Sequence, residues 1–118
     1  MVYETATDIF LVMELIACGE LYARWSEAKQ YDGQLAADTS HQMLLAVAYL
    51  HGQSKPIAQR DLKLENFLYE KKDTNHLKLI DFGFAKLWDR TKNLEQACGT
   101  AHYVAPEVLK RSYTINVI

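Results

Sequence analysis

The chain has 118 residues, with 13 basic and 15 acidic side chains and a formal net charge of −2. That length holds one small domain or a piece of a larger one. Its 49% hydrophobic and 24% charged content is that of a soluble globular protein and excludes a disordered chain, and the near-neutral balance excludes a general pull towards nucleic acid or an anionic membrane.

Met1 to Asp8 carries acids, no basic run and no small-residue cleavage site, so it does not read as a signal peptide. Ile9-Phe-Leu-Val-Met13 is the longest apolar run and is far too short to span a bilayer. It reads as a buried strand that leads, past Glu14-Leu-Ile, into a turn at Ala17-Cys18-Gly19. Glu20 to Lys29 reads as a short helix, with Leu21, Tyr22 and Trp25 at helical spacing. Ala36 to His51 is the clearest helix: Met43, Leu44, Val47 and Leu50 line one face, Asp38 sits in the first turn and Gly52 follows as a C-cap. Pro56 blocks continuation. Asn66 to Tyr69 and Leu77 to Ile80 read as short strands, joined by the polar hairpin loop Glu70 to His76. From Asp81 the chain reads mostly as loop, with a short helix from Pro106 to Lys110. Cys18 and Cys98 have no metal-ligand spacing and read as reduced thiols. The expectation is an α+β chain that is soluble and cytoplasmic, without a membrane or nucleic-acid partner.

The chemistry concentrates in Gln59-Arg-Asp-Leu-Lys-Leu-Glu-Asn66, then Asp81-Phe-Gly83, then Ala105-Pro-Glu107. Taken singly, Asp61 reads as a turn residue, Lys63 as a solvated charge and Asn66 as a cap. In this order, with a strand hairpin between the first two, they resemble the catalytic loop, metal loop and activation-segment end of the eukaryotic-type protein kinases. The residue types suit phosphoryl transfer, which needs an aligned hydroxyl and neutralised phosphate charge more than covalent help. A carboxylate can accept the hydroxyl proton. Mg²⁺ takes a few hard oxygen ligands plus phosphates, and an ammonium can steady the transferring phosphate.

The resemblance implies a protein-kinase-like fold that uses ATP and Mg²⁺ on a protein substrate. It gives Asp61 the role of catalytic base, places Lys63 on the transferring phosphate, and makes Asn66 and Asp81 the metal ligands. Gly83 would permit a backbone flip that moves Asp81. Leu11 to Ile16 is similar to the strand and hinge that grip adenine, with Met13 as gatekeeper and the Glu14 C=O and Ile16 N–H facing the base. Leu68 would floor the base pocket, and Glu65 joins the cofactor-binding set by the same match. Glu20 would meet ribose or a substrate arginine; a plain first-turn helix acid explains it equally well. Asp61-x-Lys63 with Cys98 to Glu107 resembles the serine/threonine branch, in which Thr100 would bond Asp61 and Lys63. Glu107 would pair with an arginine later in the domain. Glu20-Leu-Tyr, Asn66 to Tyr69 and Leu77 to Lys86 are most like the calcium/calmodulin-dependent and calcium-dependent group. No EF-hand loop occurs, so a calcium-linked regulator is expected outside this chain.

The sequence departs from the family in places. It holds no Gly-rich phosphate loop, no strand lysine for the phosphates and no helix glutamate to pair with it. Gln59 stands where the family usually has a structural histidine, and weaker alignment of the metal loop is expected. Arg60 commonly pairs with a phosphorylated activation-loop side chain, for which Thr91 and Thr100 are the candidates. The expected organisation is a partial kinase domain, with residues 1–16 as the end of the N-lobe and hinge and 17–118 as the first part of the C-lobe. Two functions stand: ATP-dependent phosphorylation of serine or threonine in protein substrates, or an inactive, truncated kinase fragment or pseudokinase-like binding module. The bare chain is expected to transfer little phosphate and to expose apolar surface where further lobes pack.

Overall fold

A computed structural model describes residues 1–27, 32–72 and 74–116. It combines helices with short antiparallel strand pairs, as an α+β chain should. Strand β1 (Val2–Glu4) pairs with β2 (Ile9–Leu11), Tyr3 opposite Phe10. Helix α1 (Leu21–Glu27) follows a turn at Gly19, whose φ of 87° is left-handed and suits glycine. Helix α2 (Gly33–His51) comes next, then β3 (Ile57–Ala58). A 3₁₀ turn at Leu64–Asn66 feeds β4 (Phe67–Tyr69), which pairs with β5 (Leu77–Leu79). Strand β6 (Lys86–Leu87) returns to pair with β3, and α3 (Pro106–Leu109) starts at its proline.

Two apolar clusters hold the body together. In one, Leu21 of α1 meets Phe67, Tyr69 and Leu77, with Trp25, Met43 and Ala46 against them. The β4 pleat explains the arrangement: Phe67 and Tyr69 point inward while Leu68 turns to the opposite face. In the other, Ala58 meets Leu94, Val108, Tyr113 and Ile115. Ala58 immediately precedes Gln59 and Phe67 immediately follows Asn66. The catalytic-loop segment is therefore anchored at each end in a different cluster.

Helix α2 starts one turn before the expected Ala36. Asp32 is its N-cap, accepting from the Gln34 and Leu35 N–H groups through its side chain. Asp38 therefore lies beyond the first turn. Val47 and Leu50 are buried and Met43 packs on the first cluster, but Leu44 faces solvent at 61% exposure. Gly52 caps the helix through its N–H to the Ala48 carbonyl, as expected. Helix α1 covers the expected Leu21, Tyr22 and Trp25, with Tyr22 outward; the continuation to Lys29 lies outside the described residues.

The apolar run at Ile9 to Met13 overturns its reading as a buried strand. Only Ile9–Leu11 is strand, and Ile9, Phe10, Leu11 and Met13 are 67%, 53%, 64% and 78% exposed. A two-stranded ribbon has two faces, and here neither is covered. Strands β1, β3 and β6 are too short, at two or three residues, to show a periodic pattern. The chain exposes 8720 Å², against about 6500 Å² for a compact monomer of this mass. Its radius of gyration is 16.1 Å, where compact packing gives about 13.5 Å.

Candidate active site

Asp61 is 6% exposed, and both of its carboxylate oxygens have partners. Its Oδ1 accepts from the Thr100 hydroxyl at 2.6 Å, and its Oδ2 lies 3.1 Å from the Lys63 ammonium. Lys63 also donates to Thr100 Oγ1 at 2.9 Å, closing a triangle of carboxylate, ammonium and hydroxyl. Burial pushes the Asp61 carboxyl up, but the bonds from Thr100 and Lys63 outweigh it and hold the group below the usual aspartate range. The same contact with Asp61 holds Lys63 above its ordinary value. At neutral pH both are charged, so Asp61 is purely an acceptor.

The side chain of Asn66 is also buried. Its Nδ2 donates to the Asp61 backbone carbonyl at 2.9 Å and approaches Oδ2 at 3.4 Å. The Asn66 carbonyl accepts the Ile80 N–H at 2.8 Å. The β4–β5 hairpin thus delivers Asp81 to within one residue of the strand position that faces Asn66. Asp81 is exposed, and its Oδ1 accepts the Gly83 N–H at 2.9 Å. Gly83 itself does not take a left-handed conformation; Asp81 does, at φ 59°. A Cβ at Gly83 would sit 3.1 Å from Asp81 Oδ1, so the glycine's use here is room for that tight turn. Asn66 and Asp81 offer a cation one amide and one carboxylate oxygen, hard donors few enough for Mg²⁺ to keep phosphate and water ligands.

Gln59 links the two loops. Its Oε1 accepts the Asp61 N–H at 2.7 Å and its Nε2 donates to the Asp81 carbonyl at 2.8 Å. Between Gln59 and Asp61, Arg60 is left-handed at φ 69°. Each such residue costs about 1–3 kcal/mol and persists only where its surroundings fix it. The amide supplies a donor and an acceptor at once, and so ties the catalytic loop to the metal loop at the position where the sequence suggests weaker alignment. Sequence reasoning missed this role, although a buried-loop amide between an apolar residue and the Arg-Asp pair was the available signal.

The remaining nucleotide-site candidates are partly assembled. Glu20 and Leu68 meet in an isolated antiparallel bridge, and the Tyr69 N–H bonds the Gly19 carbonyl at 3.1 Å. The pleat leaves Leu68 on the face away from the core. The Glu14 carboxylate is drawn to Lys78, at 2.7 Å from Oε2, and Lys78 also meets Glu70 at 3.2 Å. Ile16 is half-buried while Met13 and Leu15 are exposed. Glu65 Oε2 is shielded from solvent without a hydrogen bond. The Tyr103 phenol is held above its ordinary pKa first by desolvation and then by the Glu65 charge beside it. Glu107 is exposed and has no ion pair among the described residues.

A family model described as the protein kinase domain matches residues 1–117. The chain belongs to the protein kinase family. It is 44% identical over 110 residues to human calcium/calmodulin-dependent protein kinase type IV, covering 92% of this chain and 23% of that protein. Myosin light chain kinase A of Dictyostelium discoideum is 43% identical over 91% of this chain and 36% of its own length. CDPK-related kinase 5 of Arabidopsis thaliana is 43% identical over 95% of this chain and 19% of its own length. By family the chain is that of a serine/threonine protein kinase, and it is most like the calcium/calmodulin-dependent and calcium-dependent group to which these names point. It spans 19% to 36% of the length of these relatives. Among the described residues no helix is long and apolar enough to cross a membrane.

Proposed function

We propose that this chain supplies the catalytic loop, metal loop and activation segment for ATP-dependent phosphoryl transfer to serine or threonine of a protein substrate. The carrying observation is the buried Asp61–Lys63–Thr100 triangle with Asn66 bonded to the same loop. Asp61, ionised and fixed, accepts the proton of the substrate hydroxyl and aligns its oxygen for in-line attack. Lys63 adds positive charge beside that point. Asn66 and Asp81 would hold Mg²⁺, which supplies neutralisation of the ATP phosphate charge. Glu14, Ile16, Glu20, Glu65 and Leu68 line the nucleotide and substrate side of the cleft. Residues 1–16 form the end of the N-lobe and hinge, and 17–118 the first part of the C-lobe. The exposed ribbon and excess surface support that reading, since such apolar surface is normally covered. A calcium-linked regulator, as the names of the relatives suggest for those proteins, would act from outside this chain.

The test is transfer of labelled γ-phosphate from Mg²⁺·ATP to a mixed serine/threonine peptide. The 118-residue chain alone is expected at background. Fused behind the phosphate-loop lobe of a homologous kinase, it is expected to transfer phosphate, and Asp61→Asn to return it to background. A folded fusion that binds Mg²⁺·ATP yet transfers nothing would favour the second reading, a kinase-like binding module.

A further inference from the structure

Arg60 lies in the catalytic loop with its guanidinium towards residues 84–100. Neither threonine expected to receive a phosphate meets it. Thr91 Oγ1 donates to Asp89 Oδ1 at 2.7 Å, and Thr100 is committed to Asp61 and Lys63. The acceptors that Arg60 finds are neutral: the Phe84 carbonyl at 2.7 Å from Nε and the Gln96 side-chain oxygen at 3.4 Å from Nη1. Gln96 is held a second time, because its backbone carbonyl accepts the Tyr113 hydroxyl at 2.6 Å. Tyr113 is 3% exposed and exchanges both backbone hydrogen bonds with Leu94. At Gly99, φ 110°, the segment passes so close to the loop that a Cβ would lie 2.8 Å from the Arg60 carbonyl.

We propose that Gln96, clasped between Arg60 and Tyr113, is the positioning residue that holds the activation segment against the catalytic loop without phosphate. The consequence, which rests on the kinase reading, is a kinase whose activation segment does not wait for phosphorylation. Physically, Arg60 asks for acceptors, and two neutral oxygens satisfy it at lower strength than a phosphate would. The buried Tyr113 hydroxyl adds a second bond, to the Gln96 backbone carbonyl.

The experiment is hydrogen exchange by mass spectrometry on phosphatase-treated full chain, its phosphate-free state verified by intact mass. Segment 84–100 is expected to be protected in the wild type and unchanged in Thr91→Ala. Gln96→Leu, which keeps size but removes the acceptor, and Tyr113→Phe, which keeps the ring but removes the hydroxyl, are each expected to speed exchange there roughly tenfold, with peptides of α2 unaffected. Gln96→Glu, which restores an acceptor and adds charge opposite Arg60, is expected to recover protection. Unchanged exchange in both Gln96→Leu and Tyr113→Phe would overturn the clasp. So would a wild-type segment that becomes protected only after phosphorylation. Failure of phosphotransfer by the folded, nucleotide-binding fusion, beside an intact exchange pattern in the full chain, would count against the kinase reading and leave the clasp standing.

Discussion

The N-terminal ribbon and the catalytic loop invert the usual distribution of residue types. In the ribbon, Ile9, Phe10 and Leu11 are apolar and more than half exposed. In the loop, Gln59, Asp61 and Asn66 are polar and at most 6% exposed. Burial of polar groups is tolerated because each one named is hydrogen-bonded, and the anchors Ala58 and Phe67 secure the loop from both sides. Exposure of the ribbon carries no such compensation. The contrast separates a region whose order is complete within these residues from one that gains little from its own contacts.

The largest break in that contrast should come from the anchors. Phe67→Ala removes a side chain that is 1% exposed and is expected to cost about 3–5 kcal/mol, read as a lost or much earlier urea transition. Gln59→Leu keeps the volume but strands the Asp61 N–H and the Asp81 carbonyl. At about 1–3 kcal/mol for each unsatisfied group, the loss should approach that of Phe67→Ala, with the Asp61 amide newly open to exchange.

Thr100→Val is expected to cost about 1–2 kcal/mol and to change the acid limb of the stability profile. Asp61 sits below the ordinary aspartate pKa when folded. Its contribution is therefore full above about pH 3.9 and lost as pH falls through the lower folded value. Without the Thr100 hydroxyl the folded pKa rises towards the ordinary one, and the acid dependence flattens. Titration of the Asp61 carboxyl by NMR checks the direction. The smallest effect belongs to the ribbon: Phe10→Ala is expected within about 0.5 kcal/mol of wild type by urea denaturation.

How much was legible in the sequence follows the same division. The order of Asp61, Asn66 and Asp81 around a strand hairpin could be seen, because spacing and turn chemistry are local. So could α2 and its Gly52 cap. Helix α2 begins before Ala36 because Asp32 caps it, and a cap is decided by the N–H groups that its side chain accepts, which the apolar spacing does not show. The burial of Ile9 to Met13 was misjudged because an apolar run shows what a segment favours, while its neighbours decide what covers it. The Arg60–Gln96–Tyr113 contacts span long sequence separations between irregular segments, where no periodic pattern points to a partner. Gln59 looked like a weakness by comparison with a histidine; its two bonds depend on loop shapes set by left-handed Arg60 and Asp81.

The most direct test of a self-ordered catalytic loop beside a ribbon that is not is residue-resolved amide exchange by NMR, on the chain without nucleotide. The account predicts that the Asp61 N–H exchanges as slowly as the buried amides of β4, and the β1–β2 amides at nearly unprotected rates. An Asp61 N–H that exchanges as fast as the ribbon would contradict it, because the loop would then be unformed until something binds.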